Sequence, residues 1–147
     1  MAKIHKFKTT IYNILKSNKD GAYETQARRR KTLYNIAEAL YAGGYKLTTV
    51  LGLKTKHIHY LNELWKENDL SAGTIKNRNA CLRWLVGKIN KQNVVPSNEI
   101  LGVARRQYVA SKNRAIELKE LNLSKVTNKN VYVQIHLQRY LGLRREE

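Results

Sequence analysis

Apolar residues recur along this chain at steps of three and four, the spacing of one face of an α-helix. From Lys3 to Lys16 the repeat is Ile4, Phe7, Ile11 and Ile14/Leu15, with a lysine-rich back. Ser17-Asn18-Lys19-Asp20-Gly21 breaks it. The next repeat predicts a helix from Thr25 to Ala42, with Leu33, Ile36, Ala37 and Leu40 inward and Arg28, Lys31 and Asn35 together outward. Gly43-Gly44 ends it, because glycine accepts the left-handed backbone that stops a helix. A third helix is expected from Thr55 to Asn68, with Ile58, Leu61, Leu64 and Trp65 on its core side. Ser71 is placed to cap a fourth, from Ala72 to about Asn90, whose buried face is Ile75, Leu82, Leu85, Val86 and Ile89. At about 100° per residue the opposite face carries Asn77, Ala80, Trp84, Lys88 and Lys91, flanked by Lys76 and Arg83. Asn79 breaks the apolar stripe of this helix. Its presence predicts either a slightly rotated helix or an amide hydrogen-bonded at the edge of the core.

The pattern changes after Asn93. Val94-Val95-Pro96 stops the fourth helix, and Pro96 is the one proline of the chain. A short turn is expected between Ser97 and Val103. Arg105-Arg106-Gln107-Tyr108-Val109 then reads as extended and basic, either a linker between domains or an ordinary surface loop. A helix from Asn113 to about Val126 follows. Asn128 is positioned to cap a last helix, Lys129 to Leu141, burying Val131, Ile135 and Leu137, although Val131-Tyr132-Val133 has strand propensity. The fold class expected is all-α: a compact bundle of four to five helices followed by a partial helical segment.

Charge narrows the function. The 147 residues hold 28 Lys and Arg against 11 Asp and Glu, a formal charge of +17. Such an excess repels itself until a polyanion neutralises it, and the phosphates of DNA or RNA are the usual source. Each lysine or arginine taken singly is most often only solvated; a cluster on adjoining helices is more informative. The candidates for DNA contact are Arg28, Arg29, Lys31, Lys76, Arg83, Lys88, Arg105 and Arg106. Asn77 could reach a base edge, since an amide pairs in a bidentate way with adenine. A solvated, lysine-rich surface remains the alternative for the fourth helix.

Other chemistry finds little support. The single Cys81 excludes an intramolecular disulfide and reads as small apolar filler. His57 and His59 lack the Cys or acidic companions of a metal site. No cofactor is expected. No stretch approaches the roughly 18 apolar residues of a membrane span, and no secretory signal follows the basic N-terminus. No membrane partner is expected, and the cytoplasm is the simplest compartment.

Two strings bear on family. Leu70-Ser71-Ala72-Gly73-Thr74-Ile75-Lys76-Asn77-Arg78, followed by Leu82-Arg83-Trp84, resembles the opening of the last major helix in the core-binding (SAM-like) domain of phage integrases, the tyrosine recombinases. Gly142-Leu143-Arg144-Arg145-Glu146-Glu147 is similar to the Gly-Leu-Arg-x-x-Glu run that presents the first active-site arginine of those enzymes. The resemblance covers most of the chain from Thr25 onward. It implies a clamp that closes on double-stranded DNA for integration and recombination in phages or mobile elements. Its further partners would be the catalytic domain of the same protein and other recombinase protomers on DNA. Arg144 would bind the scissile phosphate, because a guanidinium fork matches two phosphate oxygens and stays charged. The domains expected are an N-terminal helix or arm over 1–20, a DNA-binding core over 21–95, a basic linker over 96–112 and the start of a catalytic domain over 113–147.

The same resemblance places the His-x-x-Arg motif and the attacking tyrosine beyond residue 147 and gives Tyr140 no nucleophilic role. The chain alone is therefore expected to be inactive. Two other readings stay open. One is a self-contained transcription or recombination accessory factor. The other is an RNA-binding helical protein, although the nine tyrosines are dispersed and suggest no stacking platform.

Overall fold

In the computed structural model, which describes residues 2–106 and 123–142, five helices account for the regular structure: α1 (Ala2–Ser17), α2 (Tyr23–Ala42), α3 (Thr55–Glu67), α4 (Ala72–Gly87) and α5 (Lys129–Leu141). No strand occurs among the described residues. The chain divides into two units, Met1–Arg106 and Gln107–Glu147, so α1 to α4 belong to the first and α5 to the second.

The core of the first unit follows from the helical repeats. Leu33, Ile36, Ala37 and Leu40 of α2 are all buried. They meet Phe7 and Ile11 of α1, Ile58, Leu61 and Trp65 of α3, and Ile75, Leu82, Leu85 and Val86 of α4. Val50 and Leu53 from the α2–α3 connection, and Val95 and Leu101 after α4, close the same cluster. The first helix thus packs into the bundle, against α2 above all. Lys8 Nζ reaches Glu38 Oε1 of α2 at 2.6 Å and lies over the Tyr34 ring.

Three of these helices end alike. After α2 the Tyr45 amide bonds back to the Leu40 carbonyl and the Gly44 amide to that of Tyr41. The residue forced into the left-handed region is Gly44, at φ +84°, where a glycine carries no steric penalty. The same pair of bonds closes α3 around Asp69 (φ 52°) and α4 around Asn90 (φ 56°), short polar residues that tolerate this backbone best after glycine. These stops end α3 and α4 ahead of the boundaries expected from periodicity. At its other end α4 is capped as expected, with Ser71 Oγ accepting from the Thr74 amide at 3.3 Å.

A buried amide network crosses the core. Asn62 and Asn79 are both fully buried and exchange two hydrogen bonds, 3.1 and 2.9 Å. Asn62 also donates to the Ile58 carbonyl, and Asn79 donates to Asn98 Oδ1 at 3.2 Å. Of the two options left open for Asn79, the hydrogen-bonded amide is the one realised, and it lies within the core rather than at its edge.

In the second unit Asn128 Oδ1 accepts from the Asn130 amide, and Gly142 ends α5 at φ 64°. The expected burial of Val131, Ile135 and Leu137 is corrected. Val131 and Leu137 are exposed and Ile135 only half-buried. The physical reason is in the sequence: Val131, Tyr132, Val133, Leu137 and Tyr140 are spread around the helix and form no single stripe. The helix expected from Asn113 to Val126 falls mostly outside the described residues, and its described end, Leu123–Lys125, is a 3-10 turn.

Candidate nucleic-acid interface

The outward faces of α2 and α4 are set by how the two helices meet. The Arg29 guanidinium lies 4.1 Å over the Trp84 ring, and the Cys81 thiol lies near Thr32. Residue numbers rise along α2 as they fall along α4, so the two helices run antiparallel. Their shared seam is also pinned from the α1–α2 loop. Asp20 Oδ2 accepts from Trp84 Nε1 at 2.9 Å and lies 2.8 Å from Lys88 Nζ. Hydrogen bonds from Lys88 and Trp84 hold the Asp20 carboxyl below its usual range. Trp84, expected to point away from the core, is instead half-buried against the edge of the core cluster, with its indole held by this latch.

The candidate residues are of two kinds. Arg29, Arg83 and Lys88 have structural partners. Arg29 sits on Trp84 and donates to the Asp20 carbonyl. Arg83 donates to the Pro96 carbonyl at 2.7 Å and to Asn98 Oδ1 at 3.1 Å, which joins it to the buried amide network. Lys88 pairs with Asp20. Arg28 keeps only an exposed pair with Glu24, of the kind that contributes little. The side chains of Lys31, Lys76, Asn77 and Arg105 have no hydrogen bond or ion pair among the described residues. Arg28 and Lys31 stand on the outer side of α2 next to Thr32. Asn77 lies one turn from Cys81 on α4, with Lys76 beside it. Arg106 lies against the first turn of α4, where a Cβ on Gly73 would come 3.3 Å from its Nε. Arg144 is outside the described residues.

The acidic groups near this face, Asp20 and Glu24, come from α2 and the loop before it, not from α4. The 16 residues of α4 contain no Asp or Glu. Beyond the candidates it holds Arg78, half-buried over the Trp65 ring at 5.2 Å. Burial pulls the Arg78 guanidinium somewhat below its ordinary value, and it stays cationic. Burial also pushes the Cys81 thiol up, so it is a poor nucleophile. Cys81 is half-buried between α4 and α2.

Several residues escaped the sequence reading. Asn62 and Asn98 complete the amide network, but separations of 17 and 19 residues from Asn79 leave no periodic signal. Lys16, Lys19 and Arg30 border a groove between α1 and α2 together with Tyr12 and Tyr23. Tyr23 and Arg30, seven apart on one helix face, were the available clue. The His-x-x-Arg spacing, which the resemblance places beyond residue 147, also occurs within the chain, as His136-Leu137-Gln138-Arg139 on α5. There His136 meets Tyr132 at a tilt and stacks with Tyr140, and Arg139 lies over the Tyr140 ring.

Among the described residues no cluster of His, Cys, Asp and Glu could hold a metal ion, and no helix is long and apolar enough to cross a membrane. A helical bundle with a carboxylate-free, cation-bearing fourth helix is the class that the first unit defines. A family model described as phage integrase, N-terminal, matches residues 4–95, and the chain belongs to that family. The match takes in α1 as well as the motifs around Ser71 to Arg78, and it ends before the Gly142 run. No curated protein and no solved structure matches the chain.

Proposed function

We propose that the α1–α4 unit is the DNA-holding part of a phage-type site-specific recombinase, and that it grips duplex DNA across the joined outer faces of α2 and α4. The observation that carries this reading is the unpaired state, among the described residues, of Lys31, Lys76 and Asn77 on two antiparallel helices, one of them free of carboxylates. Unpaired cations at the rims of a shared face suit two phosphate backbones, and an amide between them suits a base edge. Arg28, once released from Glu24, adds a fourth contact. Arg29, Arg83 and Lys88 act differently: they hold α2, α4 and the following loop at the spacing a duplex requires. Arg105 and Arg106 extend the basic surface past α4. Strand cleavage and exchange, with Arg144 on the scissile phosphate, would belong to the catalytic domain of the same protein, acting with other protomers on DNA. The integrase family supports that assignment.

The test is fluorescence anisotropy of a labelled duplex at two salt concentrations, comparing the natural chain with Lys31→Gln/Lys76→Gln. Affinity should fall, and the slope of log K against log salt should flatten by about 0.9 for each phosphate that is no longer neutralised. An unaltered slope removes these lysines from the interface.

A further inference from the structure

We infer that the groove between α1 and α2 is a second nucleic-acid site, one that takes a single strand: a phosphodiester against Lys16, Lys19 and Arg30, with an unstacked base on Tyr23. The inference does not depend on the duplex face, because Arg30 lies roughly 160° around α2 from Arg28.

Three observations on this hairpin point the same way. The first is charge. Residues 1–42 contain only three carboxylates, Asp20, Glu24 and Glu38. Each is drawn to a cation elsewhere: Asp20 to Lys88 across the α2–α4 seam, Glu24 to Arg28, Glu38 to Lys8. Among the described residues the side chains of Lys16, Lys19 and Arg30 are left without a partner, and no carboxylate lines the groove they border. Three uncompensated cations around one concavity attract an anion.

The second is the aromatic content. Tyr23 is 87% exposed and Tyr12 45%, and both border the same groove. A tyrosine ring left in water at the mouth of a cationic cleft has no packing role to account for it. Cations that follow a backbone, interleaved with rings that stack on bases, are the recurring chemistry of single-strand binding. The nearby Gln26 amide donates to the Lys19 and Gly21 carbonyls, which fixes the loop that carries Lys19.

The third is shape. The groove encloses about 340 Å³, at the small end of ligand pockets and of the size of one nucleotide. A duplex is convex and presents its bases already stacked, so it cannot enter such a cleft. A single strand can place one base there and run its phosphates along the α1 side.

The experiment uses the full chain and a fluorescein-labelled oligothymidylate of twelve nucleotides, followed by anisotropy. Binding to the natural chain should weaken roughly tenfold in Tyr23→Ala, the scale of one base stack. Tyr23→Trp should restore it, which a role in mere charge placement would not require. Lys16→Gln/Arg30→Gln should weaken it and reduce its salt dependence. Duplex affinity should stay unchanged in all three, and these exposed positions should leave the helical circular dichroism spectrum intact. The proposal is overturned if Tyr23→Ala binds the oligonucleotide as the natural chain does. It is equally overturned if an abasic oligomer of the same length competes as well as oligothymidylate, since charge alone would then explain the binding. Loss of single-strand and duplex binding together in Tyr23→Ala would also overturn it, by showing one shared surface.

Discussion

The seam between α2 and α4 and the rim outside it are built from the same residue types, yet those residues do different work. At the seam Arg29 and Lys88 meet the Trp84 ring and the Asp20 carboxylate, and on another side of α4 Arg83 meets the Pro96 carbonyl. A turn away, Lys31 and Lys76 meet no partner among the described residues. Satisfied cations tie helices together and cost stability when removed. Unsatisfied ones contribute nothing to folding, repel one another and are available to a polyanion. The difference teaches that a net charge of +17 does not itself locate a binding surface; the partner of each charge does.

The sharpest way to break this division is at the amide network that joins α3, α4 and Asn98 and that Arg83 reaches. Asn79→Ala removes three hydrogen bonds at a fully buried position and leaves Asn62 short of an acceptor and a donor. Urea unfolding should show a loss of about 2–4 kcal/mol, from unpaired buried polar groups and a small cavity. Asn62→Leu/Asn79→Leu should recover part of that loss, because removing both partners costs less than stranding one. A double variant as unstable as the sum of the single ones would show that the two amides are not coupled.

Arg83→Met comes next. It keeps the aliphatic stem and deletes the guanidinium that holds the Pro96 carbonyl and Asn98. A loss of about 1–2 kcal/mol in the same measurement is expected, since the Asn98 amide can still accept from Asn79. If Arg83 were instead a phosphate contact, its removal would leave stability unchanged and lower duplex affinity.

Legibility in the sequence followed the range of the interaction. The inner stripe of α2 was readable because burial there repeats within one helix, and Leu33, Ile36, Ala37 and Leu40 are all buried. The Arg28-Arg29-Arg30-Lys31 run was not readable residue by residue. Four successive positions point some 100° apart. Their fates were decided by Glu24 on the same helix, by Trp84 and Asp20 from distant segments, by the α1–α2 groove and by open solvent. Periodicity registered Asn79 as an anomaly but could not name Asn62, because nothing local links α3 to α4. In α5 the apolar residues ring the helix, so the repeat that served α2 misassigned Val131 and Leu137 to a core.

A smaller effect separates the buried cluster under α3 from the charged exterior by pH. His57 is buried, accepts the Lys54 amide hydrogen on Nδ1 and stands edge-on to Tyr45. Burial first, then the Lys56 and Lys54 charges, lowers its pKa below the ordinary 6.5. The unfolded chain therefore binds the proton more readily than the folded one. Stability is complete above about pH 6.5 and declines as the pH drops through the folded-state value. Melting temperatures between pH 7.5 and 5 should fall, and His57→Gln should flatten that slope. A slope that persists in the variant assigns the titration to another group.

The least perturbing substitution carries the most functional information. Lys31→Gln/Lys76→Gln removes two charges without a partner among the described residues, Lys31 exposed and Lys76 half-buried, and Gln keeps most of each aliphatic stem, so its stability should stay within about 0.5 kcal/mol of the natural chain. Relief of self-repulsion could only raise it. The same variant is the one expected to lose duplex affinity and salt dependence. Arg83→Met, by contrast, should lose stability while its remaining folded fraction holds DNA through an intact rim. The two variants thus exchange their effects on the two measurements. If the rim pair proved destabilising and Arg83 neutral, the assignment of structural and DNA-facing cations on α2 and α4 would have to be reversed.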